Sequence, residues 1–138
     1  MKPFLSLHGR ASGLGLSDGH LHDCPASPNC VCSDTVGPKH AIEPFRLAST
    51  SVDVWLQVER AVRALPRTRV ESRSADYLHA ECTSAFFGFV DDLELHLRPD
   101  DGIIAVRSAS RLGYSDFGVN RRRIERLRAI LRAQNILR

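Results

Sequence analysis

Residues 92–111 read DLELHLRPDDGIIAVRSASR, two alternating runs joined by Pro99-Asp100-Asp101-Gly102. Strict alternation places successive side chains on opposite faces of a strand. A proline, two aspartates and a glycine supply turn chemistry between the runs. No other stretch restricts the fold as much. With residues 99–102 as the loop, Arg98 faces Ile103, Leu97 faces Ile104, Leu95 faces Val106, Glu94 faces Arg107 and Asp92 faces Ala109. Leu93, Leu95 and Leu97 then share one face with Ile104 and Val106, while Asp92, Glu94, His96 and Arg107 share the other.

Two further strands are expected upstream, over residues 69–76 and 77–89. A helix before them carries Val52, Trp55, Val58, Val62 and Leu65 on one side. Thr50 and Asp53 have the spacing of a capping box at its start, and Pro66 ends it. A second helix is expected over residues 120–135, with Asn120 as N-cap, a stripe of Ile124, Leu127 and Leu131, and Arg122, Arg126 and Arg132 pointing elsewhere. Residues 1–44 show neither period and read as an irregular arm rich in Gly, Ser, Pro, His and Cys. The expected architecture is α+β: a four-stranded antiparallel β-meander with two helices packed on one face, the other face open, and the irregular N-terminal arm. One domain is expected overall, with the arm over residues 1–44 and the α+β part over 45–138.

The chain has 138 residues and a net charge of +3, which conceals an asymmetry. Residues 1–106 balance at −4 and residues 107–138 at +7. A basic C-terminal third meets an anionic ligand, nucleic acid or the acidic remainder of its own fold. Aromatic residues near the second helix are limited to Tyr114 and Phe117, so nucleic acid is not the expected partner. No window approaches the roughly 20 apolar residues of a membrane-spanning helix. The first thirty residues lack a signal-peptide core, so the chain as written reads as cytoplasmic.

His20, His22, Cys24, Cys30 and Cys32 crowd the arm. Three outcomes are open: a disulfide between Cys24 and Cys30, free structural thiols, or a metal site. No second cysteine pair lies downstream to complete a zinc knuckle, so no cofactor is predicted and zinc stays as the alternative.

Two constellations bear on chemistry. Asp92 and Glu94 are candidate catalytic residues, an acid and base of a hydrolase-like enzyme; adjacent Asp91 projects to the opposite face. Second, Arg107, Ser108, Ser110, Arg111, Tyr114, Ser115, Asp116, Asn120 and Arg121 surround a strand, a glycine-bearing turn and a helix start. Guanidinium groups beside free helix N–H groups suit phosphate, sulfate or carboxylate. The same arginines would equally pair with Asp91, Asp92, Glu94 and Asp116 inside the fold. No nucleophile elbow, Walker loop or dinucleotide fingerprint is present.

Three separated segments, LGLSDGHLHDCPASPNCVCSD (14–34), FVDDLELHL (89–97) and VRSASRLGYSDFGVNRRRIERLR (106–128), resemble the bacterial and plastid family catalogued as domain of unknown function 1499. The resemblance covers residues 14–131. It implies that Cys24 and Cys30, the Asp91-Asp92-x-Glu94 motif and the Arg-Ser-x-Ser-Arg…Asn-Arg motif are signature positions, and that members are often exported, lipid-anchored or plastid proteins. A periplasmic location would follow if an export segment is missing here. The chain departs from the family at Cys32, where serine is usual, and at His20 and His22. The expected function is a small binding module for an anionic ligand or an acidic partner group. The alternatives are the hydrolase-like enzyme and a structural scaffold without a ligand.

Overall fold

A computed structural model describes residues 13–85, 88–113 and 115–138. The alternating stretch forms two long strands, β7 (Val90–Arg98) and β8 (Ile103–Ser110), across a one-turn 3-10 helix at Pro99–Asp101. Gly102 closes that turn at φ +67°, a backbone region that glycine enters without steric cost. The register is Arg98 to Ile103, Leu95 to Val106, Glu94 to Arg107 and Asp92 to Ala109, as the turn assignment requires.

Around this hairpin the other elements run in chain order: β1 (Leu16–Ser17), β2 (His20–Leu21), β3 (Cys30–Cys32), β4 (Phe45–Arg46), α1 (Val54–Arg63), β5 (Thr68–Arg73) and β6 (Tyr77–Thr83), with α2 (Val119–Ala133) last. The fold is α+β, but its sheet has six strands and is not a four-stranded meander. β5, β6, β7 and β8 form the meander, β5 joining β6 with a bulge between Val70 and Ser72. The far side of β8 takes two short strands, β3 from the expected irregular arm and β4 from just beyond it. β3 pairs with Arg107, Ser108 and Ala109, and β4 pairs with Ile103 and Ile104. These strands are two and three residues long, too short for any period to show in the sequence. β1 and β2 form a separate small hairpin.

One face of the sheet carries the main core. Leu78, Leu93, Leu95, Ile104 and Val106 meet Val58 and Val62 of α1, Ile124, Leu127 and Leu131 of α2, and Phe45. Arg128 stacks over the Phe45 ring at 5.0 Å and donates to the carbonyls of Glu43 and Pro44, fastening α2 to the β4 segment.

Two helix starts differ from expectation. No side-chain cap from Thr50 or Asp53 forms at α1, and Val52 is 96% exposed, because the helix begins beyond it at Val54. Asn120 is not the N-cap of α2. It lies inside the first turn, fully buried, after Gly118, whose φ is +81°.

Nor is the second sheet face open. The N-terminal segment lies across it, and Leu21, Cys32 and Ala105 form a small apolar cluster there, with Cys24 and Tyr77 packed alongside. Among the described residues no helix is long and apolar enough to cross a membrane.

Candidate functional site

Alternation along β8 sends Arg107 and Arg111 to the arm-covered face, and Ser108 and Ser110 toward α2. The predicted ligand-binding set is therefore divided by the sheet into two polar networks.

On the arm side, Arg107 Nη1 donates to Glu94 Oε1 at 3.3 Å, and both residues are buried. Arg107 Nε donates to the His22 carbonyl (2.9 Å) and Nη2 to that of Asp23 (3.4 Å). Glu94 also accepts the Tyr77 hydroxyl and, at 2.8 Å, the Gly15 N–H. One charge pair thus holds the arm at three points. Burial, and then the hydrogen bond and charge of Glu94, push the Tyr77 phenol far above its ordinary range. Next along the strands, Arg111 donates from Nε to Asp92 Oδ2 and from Nη2 to Asp92 Oδ1, each at 2.8 Å. Its Nη2 also reaches Glu81 Oε2 at 2.8 Å. His79 Nε2 lies 2.7 Å from Asp92 Oδ1. A third clamp joins Arg98 to Asp34 in a two-pronged pair, while Asp34 also accepts the Leu21 N–H.

Tyr77, His79 and Glu81 were not among the predicted site residues. Their signal is the alternation in YLHAECT, which points them to the same face as Asp92 and Glu94. The bonds Tyr77–Glu94 and His79–Asp92 run to diagonal neighbours across β6 and β7.

On the helix side, Asn120 is the centre. Its Nδ2 donates to Ser110 Oγ (2.8 Å), Asp116 Oδ2 (2.8 Å) and the Asn29 carbonyl (3.2 Å). Its Oδ1 accepts from Ser108 Oγ (2.6 Å) and Arg123 Nη1 (2.8 Å). Arg123 Nη2 donates to Asp91 Oδ2 at 2.8 Å, so Asp91 and Asp92 do face opposite ways. Burial raises the Asp91 carboxyl above its ordinary range against the pull of Arg123. Asp116 accepts the N–H groups of Gly118 (2.9 Å) and Asn120 (3.0 Å), which answers from within the donors proposed for an external anion. Arg121 turns away to the Ala41 carbonyl, and Ser115 accepts only a local bond from Phe117 N–H. Tyr114 lies outside the described residues.

In the arm, Cys24 and Cys30 are joined as a disulfide with Cα atoms 5.7 Å apart, and so offer no thiolates. Cys32 is buried, and burial raises its thiol pKa. His20 Nδ1 is 2.9 Å from the Asp18 carbonyl oxygen. His22 contributes its backbone carbonyl to Arg107 and to the Cys32 thiol. Among the described residues no three His, Cys, Asp or Glu side chains are grouped to hold a metal ion.

Between the disulfide loop and β8 a cleft of about 440 Å³ is lined by His22, Asp23, Cys24 and Pro25 on one side and by Asp92, Arg107 and Arg111 on the other. Glu94 does not line it, being sealed beneath Arg107. A general acid needs a proton held near working pH and access to substrate. Despite burial, Arg111 and His79 hold Asp92 below the usual carboxylate range. Asp92 accepts from Arg111 and Glu94 accepts from Arg107, so each carboxylate lies against a guanidinium group.

Residues 20–131 match the model of a family described as a protein of unknown function, DUF1499. The chain belongs to the DUF1499 family. No curated protein and no solved structure matches it. The strand and helix positions that the resemblance implied as family signatures fall on both faces of the sheet. Asp92, Glu94, Arg107 and Arg111 form the arm-side network. Asp91, Ser108, Ser110 and Asn120 form the one beneath α2.

The carboxylates give a testable pH dependence. Asp34, Asp92 and Asp116 lose water on burial, yet Arg98, Arg111 with His79, and the N–H groups and side chain at Asn120 hold them below their ordinary values. A folded pKa below the unfolded one contributes stability that is present above the unfolded value, near 4, and is lost as pH falls through the folded value. Asp91, raised, acts in the opposite sense and at higher pH, adding stability as pH falls from its folded value toward 4. Urea midpoints should therefore fall only below about pH 4. In Arg111→Gln the fall should be shallower. An unchanged slope would show that Arg111 does not set the acidity of Asp92.

Proposed function

We propose that this DUF1499 protein is a non-catalytic binding module that takes one small anionic group, a carboxylate or phosphate, on Arg111 in the arm cleft. The observation that carries this reading is the cleft itself. It is a concave space between a disulfide-closed loop and the end of β8, and the Arg111 guanidinium at its wall is already fixed. Asp92 grips Nε and Nη2, while Nη1 makes none of these bonds. A guanidinium held by its own carboxylate is oriented before ligand arrives, which lowers the ordering cost of binding. The reading needs no cofactor.

A purely structural role is the second reading. It is favoured by the fact that Arg107, Arg111 and Arg123 each have a carboxylate partner within 3.3 Å. Titrating phosphate and acetate at constant ionic strength, followed by amide NMR, separates the two. Saturable shifts confined to residues 22–25 and 109–111, abolished in Arg111→Gln, support the binding module. If those amides stay still at the highest anion concentration, the network is structural only.

A further inference from the structure

A second, larger cleft, about 700 Å³, lies on the helix side of the sheet. There the first turns of α2 pass the segment between α1 and β5 and the end of β6. Its volume is within the range of roughly 300–1,000 Å³ typical of small-molecule sites. Leu65 and Cys82, both buried, give it apolar walls together with the exposed Val119.

Arg67, Arg122 and Arg126, all exposed, line the same cleft. Their charge is not answered as it is at Arg107 and Arg111. Arg67 Nε donates to the Thr83 carbonyl at 3.0 Å and Arg122 Nη1 to the Phe117 carbonyl at 2.8 Å. Among the described residues no carboxylate forms an ion pair with any of the three. Glu125, also at the cleft, is drawn to Arg128 at 2.8 Å. Three guanidinium groups beside an apolar wall repel one another and attract a counter-anion. A bare inorganic anion would leave the apolar wall wet, and an uncharged hydrocarbon would leave the cations unpaired.

We propose that this cleft binds a free amphiphilic anion, an alkyl chain ending in one carboxylate. The chain lies against Leu65, Cys82 and Val119, and the head group pairs with Arg122 and Arg126. The site is separate from the arm cleft and does not depend on it.

The test is an amide NMR titration of the full, disulfide-bonded chain with dodecanoate below its micelle concentration, with acetate and dodecanol as controls. Dodecanoate should shift residues 65–68, 82–83 and 119–126 saturably, with Kd at least tenfold tighter than either control. Arg122→Glu/Arg126→Glu changes exposed side chains only and should weaken binding at least tenfold. Val119→Glu, which obstructs the apolar wall, should do the same with the arginines intact. The proposal is overturned if these amides do not move, or if the charge-reversed protein binds equally well. Shifts confined to residues 22–25 and 109–111 would also overturn it while supporting the arm cleft. Co-sedimentation with phosphatidylglycerol vesicles that dodecanoate does not displace would assign the arginines to a bilayer surface instead.

Discussion

Arg107→Ala should lower the unfolding free energy by about 3–5 kcal/mol, the cost of leaving one member of a buried ion pair without its partner. The arithmetic rests on Glu94, whose exposure is 0%. Without Arg107 its carboxylate keeps the Tyr77 hydroxyl and the Gly15 N–H but has no counter-charge, and the carbonyls of His22 and Asp23 lose their donor. Urea unfolding measures the loss. Hydrogen exchange should show it locally, as faster exchange over residues 15–24. A control isolates the cause. Arg107→Met combined with Glu94→Leu removes both charges and should recover most of the stability, since apolar replacement of a complete buried pair is often close to neutral. A cost below about 1 kcal/mol for Arg107→Ala would mean that water reaches the pair as it reaches a surface salt bridge.

Asn120→Leu should cost about 3 kcal/mol, because a side chain of similar size replaces an amide whose every polar atom is used, and each buried partner left unsatisfied costs roughly 1–3 kcal/mol. Ser108 loses its acceptor, Arg123 Nη1 keeps only Ser108 Oγ at 3.1 Å, and Asp116, Ser110 and the Asn29 carbonyl lose a donor. Ser110 is half-buried and recovers water, which keeps the total below the sum of the parts. Amide exchange should speed at residues 118–121 and also at residue 29, over ninety positions away in the chain. If only the helix start responds, Asn120 serves α2 alone and does not tie it to the arm.

Both predictions fall on residues that were prominent in the sequence, yet their partners were unequally legible. The β7–β8 register follows from alternation plus a turn with its own chemistry, both local properties, so the sequence alone sets Glu94 opposite Arg107. It does not set the covering of that pair. The covering depends on the Gly15 N–H and the His22 and Asp23 carbonyls, and backbone groups carry no side-chain code. The preference of asparagine for N-caps pointed to Asn120 for a sound local reason. Tertiary partners prevailed: Asp116 takes the free N–H groups, which releases Asn120 to bridge strand, helix and arm. The serine and arginine alternation of β8 was readable, and it already divided the proposed anion site. Arg122 and Arg126 were visible only within the charge excess of residues 107–138, and Arg67 not even as that, because which cations lack a carboxylate is decided in space.

One strand has a bearing on how the protein behaves among its own copies. β5 is the sheet's outer strand opposite β3 and β4, and among the described residues it pairs only with β6. A regular outer strand offers its unused N–H and C=O groups to any other chain. Here the ladder is broken by the bulge between Val70 and Ser72, and exposed Arg69, Glu71 and Arg73 alternate along it. Arg73 is further tethered to Glu59 of α1 at 2.7 Å. An approaching strand would meet an interrupted hydrogen-bond pattern and would have to strip water from three charges. The six-stranded sheet is thereby guarded against growing a seventh strand from a neighbour.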